Sequence, residues 1–359
     1  MKKGQSKSIG RLKRPKPYYS KREKRWIARV YVGSGKYRSR SCQTKADAYE
    51  AIDDLWQDRQ EGVDGSETVA TAVAEWLRSG SWKAKTRQDY SDTAKKFDTI
   101  ESIPLDRLKE SHIRQMLSGI KSAAGRKRVR RVLNTCLNWC VTERKLRKNP
   151  ITKATTVRYE QPPVQVFDKH EPALIFKQMP EQWALAAELM FRLALRPGEL
   201  WGLQWSDWRG DRITISRNIK DIRGRIVVES VKTAAGHRTL PIDSRAIEIL
   251  EIRRKHAFAR GFASKTHPIF CGRSGVWGKY SYFRSTIWPR ALTDAGVDYR
   301  VPYTLRHTAA TLMLNSGQVS LTIVSRWLGH KNIETTLRHY AHLMTGELEQ
   351  ATKFWQGIG

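Results

Sequence analysis

Two short connectors constrain the fold of this chain more than its hydrophobic content does. Glu61-Gly62-Val63-Asp64-Gly65-Ser66 is polar and glycine-containing, and the stretch from Tyr159 to Asp168 carries Pro162-Pro163. Neither carries a helix or strand pattern across itself, so both read as tethers. They divide the 359 residues into segments 1–63, 66–152 and 165–359. A hydrophobic fraction of 40% gives each segment an apolar interior to bury and excludes a disordered basic tail.

The three segments differ in periodicity. In the first, Trp26 to Val32 alternates bulky and charged residues, turns at Gly33-Ser34-Gly35 and continues from Lys36 to Ser41, a hairpin signal. Thr44-Lys45-Ala46-Asp47 then opens a helix to about Arg59, with Ala48, Ile52, Leu55 and Trp56 on one face. The second segment is helical throughout, over Val69–Leu77, Ala84–Phe97, Lys109–Ile120 and Gly125–Glu143, and stops at Asn149-Pro150. The third is mixed: helices at Glu171–Met179 and Gln182–Leu195, strands at Arg212–Ser216, Arg225–Val231 and His237–Pro241, then helices to the end. The fold class is therefore α+β and multidomain: a small basic β-sheet with a helix, a helical bundle, and a mainly helical domain with a small antiparallel sheet.

Charge points to the partner. Lys and Arg number 66 against 35 Asp and Glu, a net charge of +31, and residues 1–40 hold fifteen of those cations against one acid, Glu23. Such an excess implies a polyanion. Strands are one way into a DNA groove, and Arg29, Lys36, Arg38 and Arg40 are the side chains expected there. Two further clusters, Lys83, Lys85 and Arg87, then Arg126, Lys127, Arg128, Arg130 and Arg131, sit near helix starts, where the helix dipole does not favour cations. Each reads either as a phosphate contact or as a solvated charged face. The four cysteines are too few and scattered for a disulfide framework; Cys136 and Cys140, one helical turn apart, read as buried thiols in a reducing compartment. No apolar run of about 18 residues occurs and the basic start leads into no apolar signal core, which argues against secretion and membrane spanning.

Four motifs carry the chemistry. Leu195-Arg196-Pro197-Gly198-Glu199-Leu200 fixes an arginine at a forced turn between two helices. It is followed by Tyr303-Thr304-Leu305-Arg306-His307-Thr308-Ala309-Ala310-Thr311, by Leu328-Gly329-His330, and by His339-Tyr340-Ala341-His342. Taken singly, Arg196 reads as a surface arginine and Tyr340 as a buried aromatic. Taken in order across residues 191–343, they resemble the tyrosine recombinases, and within them the phage-type, lambda-like integrases.

The resemblance implies a site-specific recombinase that cuts and rejoins DNA through a 3′-phosphotyrosine, integrating and excising a phage or mobile element. The three segments become an arm-type DNA-binding domain (1–63), a core-binding domain (66–152) and a catalytic domain (165–359) with a tail from about 344 to 359. Transesterification at phosphorus needs a nucleophile, cations for the phosphoryl oxygens and an acid for the leaving 5′ oxygen. By resemblance Tyr340 is the nucleophile, Arg196 and Arg306 the cations, His330 a donor to phosphate, Lys232 the acid on a hairpin spanning Val228 to Pro241, and Glu199 the carboxylate that holds Arg196. Thr336, Leu337 and Leu343 are expected to anchor the helix that presents Tyr340. Tyr303 stands where the family has histidine, three before the second arginine; a phenol can bond phosphate but is no equivalent base near neutral pH. His307, adjacent in sequence but pointing elsewhere on the helix, reads as packing or as support behind the site.

No cofactor, metal or ATP is implied. The partners are double-stranded DNA at core and arm sites, three further copies in a homotetramer, an excisionase and a DNA-bending host factor, in the cytoplasm of a bacterial host with its nucleoid. The tail, with Leu348, Ala351, Phe354 and Trp355 at helical spacing, would cover either a neighbouring protomer or its own domain. The competing readings are a catalytically decayed DNA-binding regulator, a resolvase or transposase of the same family, a type IB topoisomerase and a metal-dependent nuclease.

Overall fold

The computed structural model describes residues 13–33, 36–63, 67–159, 162–222, 224–231 and 234–340. The chain divides into two compact units, Met1–Glu160 and Gln161–Gly359.

The first unit opens with an antiparallel sheet of β1 (Tyr18–Ser20), β2 (Arg25–Gly33) and β3 (Lys36–Cys42), in that order. The hairpin matches its sequence pattern; β1 is an addition. Helix α1 (Lys45–Glu61) starts at the Thr44–Asp47 capping box and ends at Gly62, whose φ of 66° suits a residue without a Cβ. Ala51, Ile52 and Leu55 pack on Ala28 and Val30 of the sheet. The bundle follows as α2 (Val69–Ser79), α3 (Ala84–Ala94), α4 (Glu110–Ser118) and α5 (Ala123–Thr142) around Trp76, Ile113 and Leu133. Cys136 and Cys140 are buried in it, and the bond to Cys140, with burial, pushes the Cys136 thiol far up.

The sequence separates sheet and bundle at the 61–66 connector, whereas the structure joins them within one unit. The cause is β-sheet register. Arg40 pairs with Ala28 and Arg38 with Val30, which puts both arginines on the face that α1 covers. Arg38, 9% exposed, donates to Asp106 (3.1 Å) and to the Val63 carbonyl (3.0 Å) and lies 3.5 Å from Asp58. Arg40 donates to Asp54 (3.1 Å) and the Asp106 carbonyl (2.9 Å), and Arg107 returns a bond to the Ser39 carbonyl. These ties replace Arg38 and Arg40 as groove-facing side chains. Arg29, across from Ser39, stays on the exposed face with Tyr37 4.3 Å beneath its guanidinium. Lys36 is exposed at the turn.

The second unit contains α6 (Glu171–Lys177), α7 (Glu181–Arg192), α8 (Pro197–Trp201), β4 (Trp208–Arg209), β5 (Arg212–Ile215), β6 (Arg217–Ile222), β7 (Arg225–Ser230), β8 (Arg238–Pro241) and α9 (Ser244–Ala259). Then come α10 (Tyr280–Tyr282), a π-turn over Phe283–Ile287, α11 (Trp288–Asp294), α12 (Thr304–Asn315), α13 (Leu321–Leu328) and α14 (Ile333–Tyr340). Strands β4, β5 and β8 form one sheet, and among the described residues β6 pairs with β7 alone. Val228 to Pro241 is therefore not one hairpin: β7 turns back on β6, while β8 pairs with β5. The main core gathers Leu189, Trp201, Ile213, Ile249, Phe283 and Trp288. A smaller cluster of Ala194, Ala309, Ala310, Leu314, Val324, Leu328 and Tyr340 ties α12, α13 and α14 together.

Candidate active site

The turn after α7 builds one wall. Ala194 takes φ of 47°, and its carbonyl accepts from Arg306 Nη1 at 2.6 Å. Pro197 opens α8 directly after Arg196, and Gly198 lies where β6 crosses. A Cβ on Gly198 would sit 2.3 Å from Asn218 Oδ1 and 2.5 Å from the Ile219 carbonyl. The Pro-Gly pair is thus dictated by packing as well as by the turn.

Glu199 is the hub. Its carboxylate, 2% exposed, accepts from Arg196 (2.6 Å) and Arg238 (2.9 Å) and lies 3.9 Å from Arg306. Burial alone would raise its pKa, but Arg238, then Arg306 and Arg196, overcome this and hold it at about 2. Burial pulls Arg196 down, and Glu199 and Tyr303, each hydrogen-bonded to it, more than offset the loss. Arg306 is 1% exposed and burial brings it down to about 10, still charged at neutral pH. A third of the Arg196 side chain remains open to solvent.

The Leu328 carbonyl at the end of α13 accepts from Arg306 (2.6 Å) and, more weakly, from Arg196 (3.5 Å), which places the two guanidinium groups side by side. Gly329 ends that helix at φ of 67°, with the Ala235 carbonyl and Arg238 Nη1 each 2.9 Å from the position of a Cβ, so Leu-Gly-His needs its glycine. His330 follows. Its Nε2 is 3.2 Å from Arg306 Nη2, and its Nδ1 is 2.8 Å from Thr336 Oγ1. Because arginine only donates, Nε2 is the acceptor and Nδ1 carries the proton. Burial, then Arg306 and Arg196, keeps His330 neutral by lowering it to about 3.

Tyr340 arrives on α14, 1% exposed, with its hydroxyl 2.8 Å from Nδ1 of His307. Burial pushes its pKa well above the ordinary phenol value despite Arg306 and Arg196. The structure thus brings Arg196, Glu199, Tyr303, Arg306, His330 and Tyr340 to one place from four separate motifs. Thr336 is fully buried and anchors α14, whereas Leu337 is exposed and does not; Leu343 lies outside the described residues, as do Lys232 and the tail. An arginine pair held by a buried carboxylate, beside a tyrosine hydroxyl, can bind and attack a phosphodiester.

Residues 166–347 match the model of the phage integrase family. The chain belongs to that family. It is 28% identical over 284 residues to a XerC-like tyrosine recombinase of Caldanaerobacter subterraneus subsp. tengcongensis, covering 72% of this chain and 71% of the relative. It is also 28% identical over 169 residues to the prophage integrase IntR of Escherichia coli K12, covering 41% and 39%. Among solved structures it resembles the Tn1549 transposon integrase in complex with transposon right-end DNA (TM-score 0.69, 18% identity, 80% of this chain and 99% of that one). It also resembles a lambda integrase tetramer bound to a Holliday junction (TM-score 0.61, 19% identity, 90% and 95%). At these identities the structural likeness speaks for the fold. The chain is thus a tyrosine recombinase, an enzyme of site-specific DNA recombination.

In this recombinase the two basic clusters of the bundle meet at Asp89, which lies 3.0 Å from Lys85 on α3 and 3.7 Å from Arg128 on α5. Lys83, Arg87, Lys127 and Arg131 are exposed, with Lys127 over the Tyr159 ring and Arg87 bonded to the Gly80 carbonyl. Arg126 is occupied by the Ile120 and Lys121 carbonyls, and Arg130 by Thr152 and Thr155; both hold the fold.

Two site residues escape the sequence reading. Arg238 bridges Glu199 to the Trp327 carbonyl (2.7 Å), and nothing local in Gly236-His237-Arg238 signals it. His307 is adjacent to a motif arginine, yet its contact depends on where α14 lands.

Proposed function

We propose that this recombinase joins a mobile element to a bacterial chromosome and excises it again, through a covalent 3′-phosphotyrosine at Tyr340. The observation that supports it is the convergence of Arg196, Arg306, His330 and Tyr340 around the Glu199 carboxylate. Arg196 and Arg306 neutralise the two non-bridging phosphoryl oxygens, and their planar forks suit that geometry. Tyr340 Oη attacks phosphorus and Lys232 protonates the departing 5′ oxygen. Bond energy is kept in the phosphotyrosine, so rejoining needs neither metal nor ATP. His330 turns its ring from Arg306 to phosphate by moving its proton from Nδ1 to Nε2, and Tyr303 adds a phenolic hydrogen bond.

Arg29 and Lys36 hold arm DNA, while Lys83, Lys85, Arg87, Lys127, Arg128 and Arg131 hold the core site. Four copies assemble on two core sites, as in the lambda integrase tetramer on a Holliday junction. An excisionase and a DNA-bending protein set direction. The similarity to a XerC-like recombinase over 72% of the chain favours a second reading, resolution of directly repeated sites on one replicon.

Plasmids carrying the DNA that flanks the gene separate these readings, in buffer with excess EDTA. Intermolecular joining of the flank to intact chromosomal sequence is expected. Resolution of direct repeats alone would move the protein to the resolvase reading. Binding without any strand exchange would leave only a DNA-binding regulator.

A further inference from the structure

We propose that His307 is the proton acceptor for the Tyr340 hydroxyl, so that in this chain the base follows the second arginine instead of preceding it. The inference rests on Tyr340 being the nucleophile, and it deepens that reading.

Three observations carry it. His307 Nδ1 is 2.8 Å from Tyr340 Oη, a hydrogen bond across 33 residues between α12 and α14. Among the described residues, the neighbouring Tyr303 is a phenol and no comparable base, and it packs edge-on against His307 with ring centroids 4.8 Å apart. The imidazole is also kept neutral. Burial, then Arg306 and His339, lowers His307 to about 4, so the imidazole is neutral at neutral pH, and the tautomer with its hydrogen on Nε2 leaves the Nδ1 lone pair to accept from Tyr340 Oη. Among the described residues, the titratable or charged groups facing it are Tyr303 at the cap of its helix, Arg306 on that helix, and His339 and Tyr340 from α14.

A neutral acceptor beside an arginine is a weak base until an anion arrives. A phosphodiester bound at Arg306 offsets the charge that holds His307 down and makes the imidazolium easier to form. Basicity then rises only when substrate is in place. In the forward step the Oη–H bond breaks, the proton passes to Nδ1, the Oη–P bond forms and the P–O5′ bond breaks, the 5′ oxygen taking its proton from the general acid. In rejoining, the 5′ hydroxyl attacks phosphorus, its proton leaves by the same acid, and His307 returns a proton to Tyr340 Oη.

The test uses the full chain and a nicked duplex of the sequence that the protein selects from a randomised pool, with single-turnover covalent capture as readout. Tyr340→Phe must abolish capture; capture persisting there sinks the nucleophile assignment and not this inference alone. His307→Gln keeps a polar side chain but cannot take the proton. It is expected to bind the duplex as the parent does and to slow capture by about 10²–10⁴-fold. Its rate should climb about tenfold per pH unit as hydroxide replaces the base, while the parent stays level above its own low pKa. His307→Ala is expected to regain rate with added imidazole, and Tyr340→Phe is not. Capture by His307→Gln close to the parental rate with the parental pH profile, or absence of imidazole rescue in a folded His307→Ala, overturns the proposal.

Discussion

Glu199 shows how much one residue can organise. A buried carboxylate that faces Arg196, Arg238 and Arg306 offsets part of the repulsion among three cations, and Arg196 and Arg306 are the two that the proposed mechanism turns to phosphate. Its pKa is depressed in the fold, so its stabilisation is complete above the ordinary value of 4.5 and is lost as pH falls towards about 2. Glu199→Gln should therefore lower stability at pH 7 by about 3 kcal/mol, and the gap to the parent should close as urea unfolding is repeated from pH 5 down towards pH 2. A gap that does not change over that range would mean that the carboxylate is not ionised in the fold. Arg196, Arg306, His330 and Tyr340 can be read from sequence because each lies within a contiguous motif. Arg238 and His307 cannot, because the partners that give them meaning are 39 and 33 residues away and only tertiary packing chooses them.

At the scale of elements, periodicity finds the pieces and register assigns their faces. The hairpin, α1 and the four bundle helices follow from alternation and helical spacing, and the capping residues Thr44, Thr68 and Ser122 set the starts of α1, α2 and α5. What the pattern lacks is pairing. Arg29 and Arg38 look alike in a basic strand, yet the pairing of Arg38 with Val30 sends one inward and leaves the other outside. Asp106→Ala should leave Arg38 buried with Asp58 and the Val63 carbonyl as its remaining partners among the described residues, at a cost of about 1–3 kcal/mol. It should also speed proteolysis near Val63, whose carbonyl Arg38 holds. Unchanged stability and cleavage would show that sheet and bundle are held by other contacts. Gly198→Ala tests the active-site turn similarly. Its Cβ would collide with Asn218 and the Ile219 carbonyl, and a loss of about 1–3 kcal/mol is expected. No loss in thermal unfolding would mean that β6 yields freely.

For the whole molecule the net charge of +31 implies a polyanion but does not say which cations meet it. The fold sorts them. Arg29→Ala and Lys36→Ala should each reduce the slope of log K against log salt by up to about 1, with little effect on folding. Arg38→Ala should instead lower stability, as should Arg130→Ala, because both are spent on internal partners. Equal loss of salt slope in all four would contradict that division.

The central claim is that the Tyr340 hydroxyl becomes bonded to DNA. Protein incubated with the nicked, self-selected duplex in EDTA, then digested with nuclease and trypsin, should yield one modified peptide. Mass spectrometry should place a 3′-phosphonucleotide on Tyr340 in the peptide that begins at His339, and Tyr340→Phe should yield none. An adduct on another residue, or none from protein that binds the duplex, would contradict the account.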